Sequence, residues 1–194
     1  MKAITHIHTQ MKSTSSEKKY IAFLRGINVG GHHKVPMAQL KEIFSGLGYV
    51  NIRTILNSGN IIFELPENQN NVIVQTLEKA LFDVLGFSVP VICIGANAFK
   101  GMMKLQPFKN ELLTKNTRWY VSFLKNTPAA YPELPWVSGD GSFRVVHATH
   151  SAVFSVLNLD VVQTPKGMEM LEKMFGKEIT TRNWNTLDKL ETYC

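Results

Sequence analysis

The chain has 194 residues, 44% of them apolar, with 21 Lys and Arg against 15 Asp and Glu and a formal net charge of +6. A chain of this length and apolar content buries a core without disulfide or metal staples, and no apolar run approaches the ~20 residues that cross a bilayer. Half of the positive excess sits in Met1 to Lys19, where Lys2, Lys12, Lys18 and Lys19 oppose Glu17 alone; the remainder lacks the dense basic stripe of a duplex-binding face.

Residues 1–19 read as a disordered polar tail, with no apolar stretch for a signal-peptide core and no Arg of a transit peptide. Cys93 and Cys194 form neither a metal spacing nor a disulfide framework, which points to a reducing cytoplasm. Tyr20-Ile21-Ala22-Phe23-Leu24 is a short apolar run that predicts a buried strand. After a glycine-rich loop, Pro36 opens a helix whose Met37, Leu40, Ile43, Phe44 and Leu47 share a face. Residues 52–56 and 61–64 predict a hairpin across Asn57-Ser58-Gly59-Asn60. A second helix presents Ile73, Leu77, Ala80, Leu81 and Val84, and residues 89–94 give a fourth strand.

The order βαββαβ is that of the split βαβ, ferredoxin-like arrangement, with strands one and three central and two and four at the edges. Strand composition agrees: the central pair is continuously apolar, whereas the second carries Arg53 and Thr54 and the fourth carries Pro90, which an edge tolerates. The second half predicts a helix over 97–104, a strand over 118–124, a long connection over 126–142, a hairpin of 143–147 and 152–157, and helices over 166–175 and 184–191. The expectation is an α+β protein: a ferredoxin-like subdomain over 20–94, then a smaller α+β subdomain over 95–194, with a distant duplication of the first half as one way to read the second.

Three polar stretches invite a functional reading. In Leu24-Arg25-Gly26-Ile27-Asn28-Val29-Gly30-Gly31-His32-His33-Lys34-Val35-Pro36, backbone N–H groups of a glycine loop meet a helix start, an arrangement that favours an anion and that Arg25 and Lys34 reinforce. The spacing is neither the phosphate-loop nor the dinucleotide pattern, and a sharp turn with a surface cation explains the same residues structurally. The hairpin turn emerges at the same end of the sheet; at ~4.8 Å per strand the two loop roots lie roughly 10 Å apart, a gap a phosphate-bearing ligand bridges. The third stretch runs from Thr180 to Leu190. Either Thr181 or Asn183 serves as helix cap, Arg182 is a bidentate donor and Trp184 a stacking face; a buried Trp and a paired Arg are the structural alternative.

These segments, Leu-Arg-Gly-Ile-Asn-Val-Gly-Gly, Ser-Gly-Asn and Thr-Thr-Arg-Asn-Trp-Asn-Thr, resemble the signatures of the bacterial domain-of-unknown-function family 1697 across Tyr20 to Leu190. The resemblance implies a cytoplasmic α+β protein without an established activity or cofactor, and it contributes no catalytic residues. Where many relatives carry Ser-Lys before the penultimate helix, this chain has Thr164-Pro165-Lys166. The candidate ligand-binding residues are Arg25, Asn28, Gly30, Gly31, Lys34, Ser58, Asn60, Arg182, Asn183, Trp184 and Asn185. The expected partner is a small anionic molecule; no cofactor, metal or membrane is indicated, and neither a reaction nor an oligomeric state follows. Adjacent His32 and His33 point apart on an extended loop and lack a third ligand. Two alternatives stand beside this reading. One is a single-stranded nucleic-acid module, for which only Tyr20, Phe23 and Phe63 offer stacking; the other is a protein-interaction scaffold with structural motifs.

Overall fold

The computed structural model describes residues 18–31, 33–66 and 73–194; most of the expected tail, and His32, lie outside them. The first strand, β1 (Lys19–Leu24), buries both faces because it is central: it pairs antiparallel with β3 (Asn60–Glu64) on one side and β4 (Val91–Gly95) on the other. With β2 (Val50–Ile55) beyond β3, the sheet order is β2-β3-β1-β4, so the polar second strand and the strand preceded by Pro90 are the edges, as their composition dictates. Helices α1 (Met37–Gly46) and α2 (Ile73–Leu85) cover one face, where Leu40, Phe44, Leu77 and Leu81 pack with Ala22, Leu24, Ile61 and Phe63.

The other face of that sheet meets a second sheet. It is built from β5 (Thr117–Leu124), the two-residue β6 (Trp136–Val137), β7 (Phe143–Ala148), β8 (Ala152–Asn158) and β9 (Ile179–Asn183), in the order β6-β7-β8-β5-β9. Ile21 and Phe23 from the first sheet join Val121, Phe123, Phe154 and Val156 from the second in one core. The Phe23 and Phe123 rings stack at 4.1 Å and 15°, both essentially unexposed; such a pair adds about 0.5–1.5 kcal/mol beyond its buried area. Helices α3 (Ala96–Met103) and α5 (Trp184–Glu191) complete this middle layer through Phe99, Met102, Leu187 and Leu190, and α4 (Thr164–Phe175) covers the far face of the second sheet.

The second half repeats the topology of the first. Without β6 the two orders, β2-β3-β1-β4 and β7-β8-β5-β9, correspond strand for strand. Tyr20-Ile-Ala-Phe-Leu-Arg25 matches Tyr120-Val-Ser-Phe-Leu-Lys125; Tyr20 lies opposite Gly95 as Tyr120 lies opposite Asn183, and a helix begins at the next residue in both cases. What differs is the crossover after the first strand: the glycine loop and α1 in one half, the segment carrying β6 in the other. That segment, expected as a plain connection, packs Tyr131, Leu134 and Trp136 onto the far core. The unanticipated element is β9, which is polar enough (Ile-Thr-Thr-Arg-Asn) to read as a loop and is an edge strand.

Candidate functional site

The three polar stretches meet, and Arg182 joins them. From β9 its Nε donates to Asn60 Oδ1 at 2.5 Å, and its Nη2 donates to the carbonyls of Leu24 at 2.6 Å and Ser58 at 3.0 Å, with Gly59 O at 3.4 Å. Nη1 donates to Thr181 O at 2.9 Å. The strand register explains the reach: Arg182 lies opposite Val121, on the face turned toward the first sheet, and Asn60 shares the facing side of β3 with Ile62. Desolvation pushes the guanidinium down to about 10, so it is charged at neutral pH.

Asn60 is wholly buried and fully used, its Nδ2 donating to Ile55 O at 2.9 Å and Ser58 Oγ at 3.0 Å. Gly59 is required between them: at φ +74° a Cβ would stand 2.8 Å from Leu24 Cβ. The two loops expected to flank a gap touch each other directly. Asn28, in the left-handed region at φ 55°, donates from Nδ2 to Asn57 O at 2.8 Å and Val35 O at 3.0 Å, and its Oδ1 accepts from Val35 N–H at 2.8 Å. Asn28, Ser58, Asn60 and Arg182 therefore hold the loops, the amides of Asn28 and Asn60 and the Arg182 guanidinium being engaged inside the chain while Ser58, exposed, accepts from Asn60.

The other candidates part company. Arg25 turns away from Arg182 to Glu172 on α4, at 2.5 Å, while Lys125, its counterpart in the second half, pairs with Glu78 on α2 at 3.5 Å. The halves thus exchange ion pairs across a small cleft of about 260 Å³ between the starts of β4 and β9. Asn183 is the helix cap, accepting from Asn185 N–H at 3.0 Å, whereas Thr181 bonds to Ser122 at 2.8 Å. Trp184 enters an aromatic group with Phe108 and Trp119. His33 stacks on Phe87 at 4.1 Å, and among the described residues no three His, Cys, Asp or Glu side chains cluster.

One hollow remains open to solvent at these loops. It measures about 590 Å³ and is bordered by Asn28, Gly31, Lys34, Pro36 and Asn57 over the start of α1. Pro36 at the N-cap offers no side-chain acceptor and the first turn of α1 holds no acidic residue, so the helix start that borders the hollow through Pro36 and Met37 has no side-chain cap. Lys34 is exposed and makes no ion pair among the described residues, and the Asn57 side-chain amide is likewise unengaged there. Gly31, at φ +81° with open space around it, lets the loop turn beside them. Asn57 was legible only as a turn residue; its place beside Lys34 follows from the parallel run of β1 and β2.

No helix among the described residues is long and apolar enough to cross a membrane. Among solved structures, the conserved bacterial protein SP0830 from Streptococcus pneumoniae is similar in fold, with a TM-score of 0.68 and 22% identity over 90% of this chain and 97% of that one. No curated protein matches. A protein-family comparison matches residues 18–149, which include the first two signatures, to "Protein of unknown function (DUF1697)", and the chain belongs to that family.

Proposed function

We propose that the protein is a cytoplasmic binding protein for a small phosphorylated or otherwise anionic molecule, held over the N-terminus of α1. The observation that carries this reading is the hollow bordered by Lys34 and Asn57, where a cation and an amide without side-chain partners among the described residues stand beside a helix start that has no side-chain cap and no acidic residue in its first turn. Fixed backbone N–H groups and the helix field favour an anion there, and Lys34 adds a mobile point charge. Arg182 and Asn60 shape the hollow from behind, and Asn28, at its edge, spends its amide on holding the two loops together.

Isothermal titration with inorganic phosphate, pyrophosphate and nucleoside phosphates tests this. Lys34→Gln is expected to weaken the best binder by roughly tenfold, in line with a charge-assisted hydrogen bond of about 1.5–3 kcal/mol. Equal affinity in the variant, or no heat with any of these anions, overturns the reading.

The saturation of Arg182 and Asn60 favours a second reading, in which the motifs are scaffold for a protein interaction. It is distinguished by Lys34→Gln, which then changes neither stability nor any anion affinity. The nucleic-acid alternative lacks its platform among the described residues: Phe23 is sealed between the sheets, and Phe63 is buried beneath α1 and α2.

A further inference from the structure

A third cavity, of about 420 Å³, lies at the opposite end of the third signature and is not used by the anion reading. Three aromatic rings border it. Phe108 and Trp119 stack nearly parallel at 4.9 Å, and Trp184 stands edge-on to Phe108 at 5.2 Å. Trp184, Asp188 and Glu191 follow one another at four- and three-residue spacing on α5, so they share a face of that helix and border the same cavity. Neither carboxylate forms an ion pair among the described residues, although Lys109 also borders the cavity. Partial burial, and after it the neighbouring Glu191, push the Asp188 carboxyl upward.

We propose that this cavity binds a small organic cation of the alkyl- or methylated-ammonium class, its apolar shell against Trp119 and Trp184 and its charge balanced by Asp188 and Glu191. Aromatic faces attract such cations through the ring quadrupole, most strongly where water is displaced. Two unpaired carboxylates disfavour an anion, and a neutral apolar guest leaves them uncompensated.

The three Trp indole N–H signals, from Trp119, Trp136 and Trp184, make the test site-resolved. Choline is titrated at constant ionic strength, with its neutral carbon isostere 3,3-dimethylbutan-1-ol in parallel. Choline is expected to shift the Trp119 and Trp184 signals and leave Trp136, which sits in the far core, unmoved. The isostere is expected to bind roughly tenfold more weakly, and Asp188→Asn with Glu191→Gln, isosteric changes at exposed positions, to weaken choline by a similar factor. Unmoved Trp119 and Trp184 signals, equal binding of the isostere, or unchanged affinity in the double variant overturns the proposal.

Discussion

Arg182→Ala should be among the most destabilising single changes in this chain. It removes the donor from Asn60 Oδ1 and from the carbonyls of Leu24, Ser58 and Gly59, four acceptors carried by the first sheet and its β2–β3 turn. Hydrogen bonds to a charged donor are worth about 1.5–3 kcal/mol each, yet their sum overshoots, because one nitrogen serves three carbonyls and water enters once the partly exposed side chain is gone. Asn60 is the exception: it is wholly buried and keeps its other bonds, so its oxygen bears a desolvation cost of about 1–3 kcal/mol. With the carbonyls largely rehydrated, the total is roughly 3–5 kcal/mol.

At about 2–4 °C per kcal/mol for a chain of this size, Tm falls by roughly 6–20 °C. Calorimetry and urea denaturation at pH 7 measure both quantities. Arg182→Lys retains the charge but only part of the fork, and should lose about half as much. In a double-mutant cycle with Asn60→Ala, the two changes should couple by about 1 kcal/mol or more. A loss below about 1 kcal/mol for Arg182→Ala, or full stability in the Lys variant, would refute the clasp.

Gly59→Ala forces a Cβ to 2.8 Å from Leu24 Cβ and 2.9 Å from Ile27 Cδ1 at φ +74°, so roughly 2–4 kcal/mol of stability should be lost. Gly31→Ala, at φ +81° in open space, should lose only about 1 kcal/mol, and equal losses at the two sites would sink the packing argument. Ser155 Oγ is fully buried without a hydrogen-bond partner among the described residues, so Ser155→Ala should raise stability by about 1 kcal/mol in urea denaturation; a loss of that size would mean the hydroxyl has a partner after all. Asp140 accepts from Ser138 Oγ, Ser142 Oγ and Ser142 N–H, which hold its carboxyl at about 2 against an ordinary 3.8. Because its folded value is the lower one, its contribution is present above the ordinary value and lost as pH falls through about 2. A carboxyl midpoint near 4 in an NMR titration of the folded protein would contradict it.

The first half was legible because each strand's composition matches its place. β1 is apolar on both faces because it lies between two layers, and Pro90 sits just before an edge strand, where a missing N–H leaves no rung open. β9 was illegible for the same kind of reason. An edge strand with one flank unpaired tolerates Thr-Thr-Arg-Asn, and a capping asparagine at its end reads locally as a helix start with a loop before it. The site was half legible: glycine, amide and arginine positions marked the three segments that meet, but their partners are main-chain carbonyls, which carry no residue-type signal. Arg25 was misleading in isolation, because Glu172 comes from a helix on the other half of the fold.

The repeat separates what the fold needs from what it does not. Phe23 and Phe123, or the ion pairs of Arg25 and Lys125, occur in both halves and are accounted for by joining two similar layers. Two features break the correspondence. Arg182 occupies the position that Ile94 holds in the first half, where an apolar side chain packs into the same middle core, and only the first half has a glycine loop leading into a helix. Joining the sheets would not by itself require a buried guanidinium, since Ile94 does that task with none. The acceptors of Arg182 are the end of β1, from which the glycine loop departs, and the turn after β2, whose Asn57 borders the hollow over α1. The clasp and the loop are therefore one device, and on the anion-binding proposal Arg182→Ala should lower anion affinity through displaced loops even at temperatures where the variant is fully folded.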